Sequence, residues 1–418
     1  KKKFSSKEIS FLEITKKTKI TELFKAISNY NDLSEIRYVG GCVRKILNNE
    51  KFDDIDLATN LKPIEVKECL KKNNIDFFET GIAHGTITAR IDEKNFEITS
   101  LRKDISTDGR HAVVEFTNEW TRDAMRRDFT INSIYADKEG NLFDPNDGVK
   151  DLENRKVKFI GDPDKRVKED YLRILRYFRF YADFSNFEID ANLKKVFKEG
   201  SKNFSKISKE RIWSELKKII HQNNSFKSLS MMNETNILTE ISENISINND
   251  YLKISHIENK INKPIDDLLK FSILLESSEF NANNFIEQFP ISNEEADNLR
   301  TFINLDLSIK SYLSIKESRA KLYRLGIEKF QNFVILNWIK DSNQKNDLNW
   351  HTLYEVAKNF EQPKFSFGAN DIIRMGIEEG PLVGKILSEL EEWWIDSDFI
   401  DDEYSIFERL KAICLSYK

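Results

Sequence analysis

Tyr38–Asn60 reads YVGGCVRKILNNEKFDDIDLATN, and the rest of the chain is organised around it. A short apolar run (Ile36, Tyr38, Val39) meets the pair Gly40-Gly41. Cys42 to Leu47 has the pattern of a short helix, a polar turn follows, and Asp54-Ile55-Asp56 leads into Leu57 and Ala58. The pattern predicts strand, glycine turn, helix, turn, strand. Side chains at i and i+2 of a strand share a face, so Asp54 and Asp56 are expected side by side with Ile55 turned inward. Two like charges held that close repel unless a cation sits between them. Mg²⁺ suits such a site, because it takes one or two carboxylates and completes its shell with water and phosphate oxygens. The glycine pair lacks two Cβ atoms, so backbone N–H groups can approach a phosphate chain. Phosphate cradle plus metal carboxylates is the minimal equipment for nucleotidyl transfer.

Working outward, residues 9–30 carry Ile20, Leu23, Phe24 and Ile27 on one side and are expected to form one amphipathic packing helix. Lys62–Asn73 reads as a second helix with Pro63 near its start. A glycine-flanked turn at 81–85 precedes a β-branched strand, Thr86–Ile91. Asp92–Asn95 is a hairpin turn, and Phe96–Leu101 is the returning strand. Glu97 alternates with Phe96 and Ile98 there, so it faces away from them as a third candidate carboxylate. Residues 102–125 are polar with little periodicity and read as a mobile loop followed by a lead-in helix.

Arg126-Arg127-Asp128-Phe129-Thr130-Ile131-Asn132 is the second signature. Set on a helix, Arg127 offers a donor fork for triphosphate, and Asp128 offers an acceptor for a ribose hydroxyl beside it. Asn132 lies one turn later on a nearby face. Further on, DKRVKEDYLRILRYFRFYADF is expected as one charged helix, with Val167, Leu172, Leu175 and Phe178 on its apolar stripe. Arg173, Arg176 and Arg179 recur every three residues, as a solvated face or as bracing groups. Asp170 and Arg173 are i,i+3 neighbours. Cytosine and adenine both present an exocyclic amine beside a ring acceptor. An Asp can take the amine and an Arg can serve the acceptor, whereas guanine and uracil reverse that pattern. One rigid pair can therefore select C and A without a template.

The combination resembles the class II CCA-adding enzymes and bacterial poly(A) polymerases, of the polymerase-β-like nucleotidyltransferase superfamily. The residues that carry the resemblance are Gly40-Gly41 with Asp54-x-Asp56, Glu97 in EITS, RRDFTIN, Asp144-Pro145-x-x-Gly148 and Glu169-Asp170-x-x-Arg173. To these add Glu210-Arg211 with Glu215, and the late run from Phe367 to Leu387 with Gly380-Pro381 and Gly384. The likeness implies an α+β head with a mixed sheet, followed by an all-α neck, body and tail in a seahorse-like arrangement. The expected divisions are 1–152, 153–225, 226–340 and 341–418.

It also implies roles. Asp54 and Asp56 would hold Mg²⁺, with Glu97 completing the catalytic carboxylates. Gly40, Gly41, Arg44 and Arg127 would take the triphosphate. Asp128 and Asn132 would read the ribose, and Asp170 and Arg173 the base. Glu169, Arg176, Arg179, Glu210 and Arg211 would brace that pocket. The family's flexible loop, which helps switch choice from C to A, matches the long stretch after residue 102. Complete CCA addition to tRNA from CTP and ATP is therefore expected. One departure is Lys45, where the family commonly has Asp or Asn after the arginine. Two rivals remain: a poly(A) polymerase of the same family, and a catalytically silent RNA-binding protein on the same scaffold. The intact Asp54, Asp56 and Asp128 speak against the second.

Composition bounds the partners. The net charge of −5 argues mildly against a nucleic-acid partner, yet leaves room for local basic stripes. Cys42, Cys69 and Cys414 are scattered, with neither disulfide nor zinc spacing, and the five histidines are dispersed. No apolar run reaches membrane-spanning length. The expected setting is cytoplasmic, without membrane or DNA, as a monomer or homodimer.

Overall fold

The computed structural model describes residues 6–417 except 53, 82–84 and 108–111. Two compact units divide the chain: 1–246 with 288–290, and 247–287 with 291–418.

In the first unit the expected amphipathic segment is two helices, α1 (Ser6–Lys17) and α2 (Ile20–Ser28). Thr15 and Thr18 hydroxyls donate to the carbonyls of Phe11 and Ile14, four residues back. Such back-bonding competes with helix continuation, and α1 stops there. Ile20, Leu23, Phe24 and Ile27 are buried as their spacing predicts.

The glycine-turn stretch folds as β1 (Ile36–Val39), α3 (Gly41–Leu47) and β2 (Asp56–Thr59). Tyr38 is fully buried against Phe11 and Phe24, at centroid distances of 5.6 and 5.2 Å. β2 begins at Asp56, so Asp54 lies just before the strand rather than within it, and it is exposed. Helix α4 (Pro63–Lys72) is followed by β3 (Asp76–Gly81), β4 (Thr86–Ile91) and β5 (Lys94–Ser100). Asp92 and Glu93 both have positive φ, the geometry of a two-residue hairpin turn between β4 and β5.

Much of the stretch expected as a loop is paired strand instead, and the part of that expectation at 108–111 lies outside the described residues. β6 (Arg102–Thr107) pairs antiparallel with β7 (Ala112–Phe116), and α5 (Trp120–Met125) follows. The signal lay in the β-branched pair Val113-Val114. Then come β8 (Tyr135–Ala136) and β9 (Leu142–Phe143). The seven-stranded sheet runs β3-β4-β5-β2-β1-β8-β9. Its pairings are antiparallel except β2 with β5, which is parallel and places Asp56 opposite Glu97.

Helices complete this unit: α6 (Gly148–Glu153), α7 (Pro163–Glu169), α8 (Leu172–Phe184), α9 (Ala191–Ser201), α10 (Lys209–His221), α11 (Ser225–Glu234) and α12 (Ile237–Ile241). The charged segment expected as one helix breaks at Asp170, whose backbone is extended (φ −154°, ψ 105°). The Asp170 carboxylate accepts from the Leu172 N–H at 3.1 Å, a local turn that ends the first helix and leads through Tyr171 into the second. α9 crosses over this break. Gly200 makes the approach possible, since a Cβ there would lie 2.7 Å from Val167 Cγ1 and 2.8 Å from Ile174 Cδ1.

The second unit is helical among its described residues, from α13 (Lys253–Ile261) through α14 (Asp267–Leu274), α15 (Glu279–Gln288), α16 (Asn293–Ile303), α17 (Ile315–Leu325), α18 (Ile327–Lys340) and α19 (Asp347–Lys358) to α20 (Ala369–Arg374), α21 (Pro381–Asp396) and α22 (Glu403–Ser416). Capping boxes at Ser292/Glu295 and Ser314/Glu317 fix the starts of α16 and α17. α20 to α22 share a core of Ile372, Val383, Ile386, Leu390, Trp394, Ile406 and Leu410. Pro381 opens α21 as expected, while the Lys385 ammonium lies over the Tyr417 ring at 5.1 Å.

Candidate active site

Gly40 joins β1 to α3 with φ +72°, a conformation that disfavours any side chain. A Cβ at this position would stand 4.0 Å from Asp56 Oδ2, so the glycine turn and the carboxylate border one space. Glu97 is the register partner of Asp56 on the parallel neighbour β5, and partnered residues of a parallel pair share a face. The Asp56 carboxyl is held above its usual range, first by burial and then by the negative charges of Glu97 and Asp54. Arg127 acts in the opposite direction on the same group. Asp56 thus feels the charges of both other expected carboxylates. Among the described residues, no three His, Cys, Asp or Glu side chains are already gathered into a complete ligand set.

RRDFTIN does not lie on a regular helix. α5 ends at Met125, a turn carries Arg126 to Phe129, and Thr130–Asn132 is a 3₁₀ turn. Arg127 and Asp128 consequently face different partners, not one ligand side by side. Arg127 donates to Asp123 Oδ2 and to the Tyr135 hydroxyl at 3.1 Å each, and its guanidinium lies 5.3 Å from the Tyr135 ring centroid. Asp123 also takes Arg126 at 2.9 Å, the Tyr135 O–H at 2.6 Å and the Arg102 N–H at 3.1 Å. Sequence reading passed over Asp123, which is an ordinary acidic residue of a short helix until the fold surrounds it. Burial alone would raise its pKa, but Arg127 and Arg126 overrule this and bring it down to about 2.

Asp128 is buried, and its Oδ1 accepts from the Phe129 N–H at 2.8 Å and from Asn132 Nδ2 at 3.3 Å. Its Oδ2 is 2.6 Å from Arg176 Nη2. Burial opposes its charge, yet Arg176 and these donors hold the carboxyl below its usual range. Arg44 is buried too. Its guanidinium hydrogen-bonds Asn132 Oδ1 and stacks on Phe180 and Phe184 of α8.

The expected base-reading pair is also divided between partners. Arg173 donates to the Arg166 carbonyl at 2.8 Å and pairs with Glu169, whereas Asp170 Oδ2 accepts from Arg211 Nη2 at 2.8 Å. Arg166, absent from the sequence expectation, pairs with the same Glu169 and donates to the carbonyls of Arg126 and Arg127 at 2.7 and 2.6 Å. Arg179 meets Glu215 of α10 at 3.1 Å. The arginines of α8 are therefore ion-pairing groups, with Arg173 on Glu169, Arg176 on Asp128 and Arg179 on Glu215, not a solvated stripe. Glu210 is an exposed residue of the first turn of α10.

Two family models match the chain: the poly A polymerase head domain over residues 36–158, and the probable RNA and SrmB-binding site of polymerase A over 186–246. CCA tRNA nucleotidyltransferase 1, mitochondrial, of Mus musculus is 34% identical over 403 residues, covering 94% of this chain and 89% of the relative. The CCA-adding enzyme of Staphylococcus haemolyticus is 28% identical, over 85% of this chain and 88% of its own. Among solved structures, the Bacillus stearothermophilus CCA-adding enzyme in complex with CTP matches with a TM-score of 0.76 at 20% identity, covering 95% and 98% of the two chains. The Thermotoga maritima CCA-adding enzyme complexed with tRNA gives 0.67 at 20% identity, over 98% of each. These last two likenesses establish the fold alone, a mixed-sheet head with a helical remainder. The relation to the mouse protein across nearly the whole of both chains goes further, and on it this chain belongs to the CCA tRNA nucleotidyltransferase family.

Proposed function

We propose that this protein is a nucleotidyltransferase that adds C, C and A in turn to the 3′ end of tRNA, using CTP and ATP and releasing pyrophosphate. The observation that carries the reading is the pairing of Asp56 with Glu97 beside the Gly40 turn. In each cycle the terminal 3′-oxygen of the RNA forms a bond to the α-phosphorus, the bond to the leaving pyrophosphate breaks, and the hydroxyl proton passes to solvent water. Gly40 and Gly41 offer backbone N–H groups to the triphosphate. Arg44 and Arg127 border that turn as cations already engaged with the protein, and act on the phosphates through their field. Asp128 receives a ribose hydroxyl, with Asn132 beside it. Asp170 and Arg173 meet the base edge, and Glu169, Arg211, Arg176 and Arg179 hold them, with Glu210 at the start of the helix that carries Arg211.

The donor chemistry fits a hard divalent cation. Asp54, Asp56 and Glu97 supply oxygen donors only, and Asp56, whose carboxyl is raised first by burial and then by the charges of Glu97 and Asp54, is the group a cation would relieve. Asp54 and Asp56 would hold Mg²⁺, with Glu97 adjoining. When bound, Mg²⁺ lowers the pKa of the attacking hydroxyl and neutralises the leaving pyrophosphate.

We assign 1–152 to a catalytic head, 153–225 to a neck that selects the nucleotide, and 226–340 and 341–418 to a body and tail that engage tRNA. A cytoplasmic setting agrees with three free, buried cysteines. Among the described residues no helix is long and apolar enough to cross a membrane. Fractionation tests the compartment, because the mouse relative carries a mitochondrial name.

Incubation of a tRNA lacking CCA with CTP and ATP, separately and together, tests the activity. Ordered addition that stops after A supports it. The head model's name favours one second reading, a poly(A) polymerase, and long A tails would establish that instead. No incorporation would leave an RNA-binding protein. Asp54→Ala should abolish incorporation. Asp170→Ala should relax base choice while leaving turnover, and unchanged selectivity would overturn the base-reading role.

A further inference from the structure

Arg44 was expected on the triphosphate, but its surroundings suit a different task. The residue is 8% exposed, and its guanidinium carbon sits 4.6 Å from the Phe180 ring centroid and 5.4 Å from that of Phe184. Burial, then the like charge of Arg179, lowers its pKa to about 10, so it stays cationic at neutral pH. An arginine has donors and no acceptor. The atom of the Asn132 amide that can meet it is the carbonyl oxygen, and Nη1 donates there. The amide nitrogen must then point the other way, where Nδ2 donates to Asp128 Oδ1 at 3.3 Å. That oxygen also takes the Phe129 N–H, so Oδ1 is supplied twice while Oδ2 faces Arg176. With the amide reversed, two oxygens would confront each other, and repulsion at Oδ1 would turn the Asp128 carboxylate about its remaining contacts to the Phe129 N–H and Arg176.

We propose that Arg44 is a positioning residue for sugar selection: by fixing the orientation of the Asn132 amide it presents Asp128 Oδ2 to the hydroxyls of an incoming ribonucleoside triphosphate. The proposal deepens the reading above and rests on Asp128 being the ribose acceptor. A direct triphosphate contact would serve CTP and dCTP alike. A relay through Asn132 and Asp128 serves the ribonucleotide alone.

The test uses the full-length chain with a tRNA lacking CCA. It compares kcat/KM for CTP and dCTP in the wild type, Arg44→Lys, Asn132→Ala, the double variant and Asp128→Asn, with a thermal melt for each. A lysine keeps the charge but cannot occupy the same fork geometry. The CTP-to-dCTP ratio should fall about tenfold in Arg44→Lys, the scale of one hydrogen bond to a charged group. The double variant should show no further fall than Asn132→Ala, because both residues act through one contact. Equal losses for CTP and dCTP in Arg44→Lys would overturn the proposal, as would additive effects in the double variant. If Arg44→Lys fails to fold, Asn132→Ala carries the same prediction, and an unchanged ratio there overturns it. Asp128→Asn separates the two levels. A ratio unmoved by Asp128→Asn refutes the ribose reading itself. A ratio moved by Asp128→Asn but not by Arg44→Lys refutes only the relay.

Discussion

Replacing Asp123 by asparagine tests how the RRD turn is held. The carboxylate is almost fully buried and gathers Arg126, Arg127, the Tyr135 hydroxyl and the Arg102 N–H. Asparagine keeps the shape but leaves two arginines facing a neutral group in a buried site. Removing one partner of a buried ion pair costs about 3–5 kcal/mol. The pH dependence isolates the electrostatic part. The folded pKa is depressed from 3.8 to about 2, so the stabilisation is complete above the ordinary carboxylate value and fades as pH falls through about 4 toward about 2. At roughly 1.4 kcal/mol per unit, the full effect is about 2 kcal/mol, and about 1 kcal/mol of it is gone by roughly pH 3. Urea unfolding followed by circular dichroism at about pH 6 and pH 3 measures both quantities. The gap between wild type and Asp123→Asn should narrow by about 1 kcal/mol on acidification. A gap independent of pH, or an Asp123→Asn protein as stable as wild type at the higher pH, would refute the argument.

Gly200→Ala places a methyl 2.7 Å from Val167 Cγ1 and 2.8 Å from Ile174 Cδ1. Overpacking of this kind costs about 1–3 kcal/mol, read as a lowered melting temperature. Because those two residues bracket the Asp170 break, misincorporation of U and G should rise in the same variant. Glu97→Gln removes a charge beside Asp56 and should weaken Mg²⁺ binding about tenfold or more in calorimetry. Chelation of divalent ions should stop incorporation by the wild type, with recovery on adding Mg²⁺ back.

Much of the candidate site was legible because its residues fall in short-range patterns. Gly40-Gly41 ending an apolar run, an Asp-x-Asp entering a strand, and Glu97 alternating with Phe96 and Ile98 each depend on local backbone geometry. What escaped depends on partners distant in sequence. Asp123 acquires its role from Arg102 and Tyr135, and Arg166 from the carbonyls of Arg126 and Arg127. The break at Asp170 was hidden because the apolar stripe runs through it, with Val167 and Leu172 both buried, and nothing in periodicity reveals that one carboxylate folds back onto the Leu172 N–H. The β6–β7 hairpin was masked by its polar composition, although its β-branched residues pointed to strands. The second unit was legible as helices and no further, since amphipathic spacing reports burial but not which helix supplies the other face.

The parallel pairing of β2 with β5 also bears on the order in which the protein is made. α4, β3 and β4 lie between Asp56 and Glu97 in the chain, so β5 can return alongside β2 only after all three have been synthesised. Such a non-local pairing pays its loop-closure entropy before any contact rewards it, which makes it a slow step. A chain emerging from the ribosome carries Asp54 and Asp56 well before Glu97 can join them. In that interval the pair is exposed, hydrated and without its third carboxylate. On the proposed reading, metal capture by all three carboxylates, and with it chemistry on a nucleotide, waits until the sheet has closed.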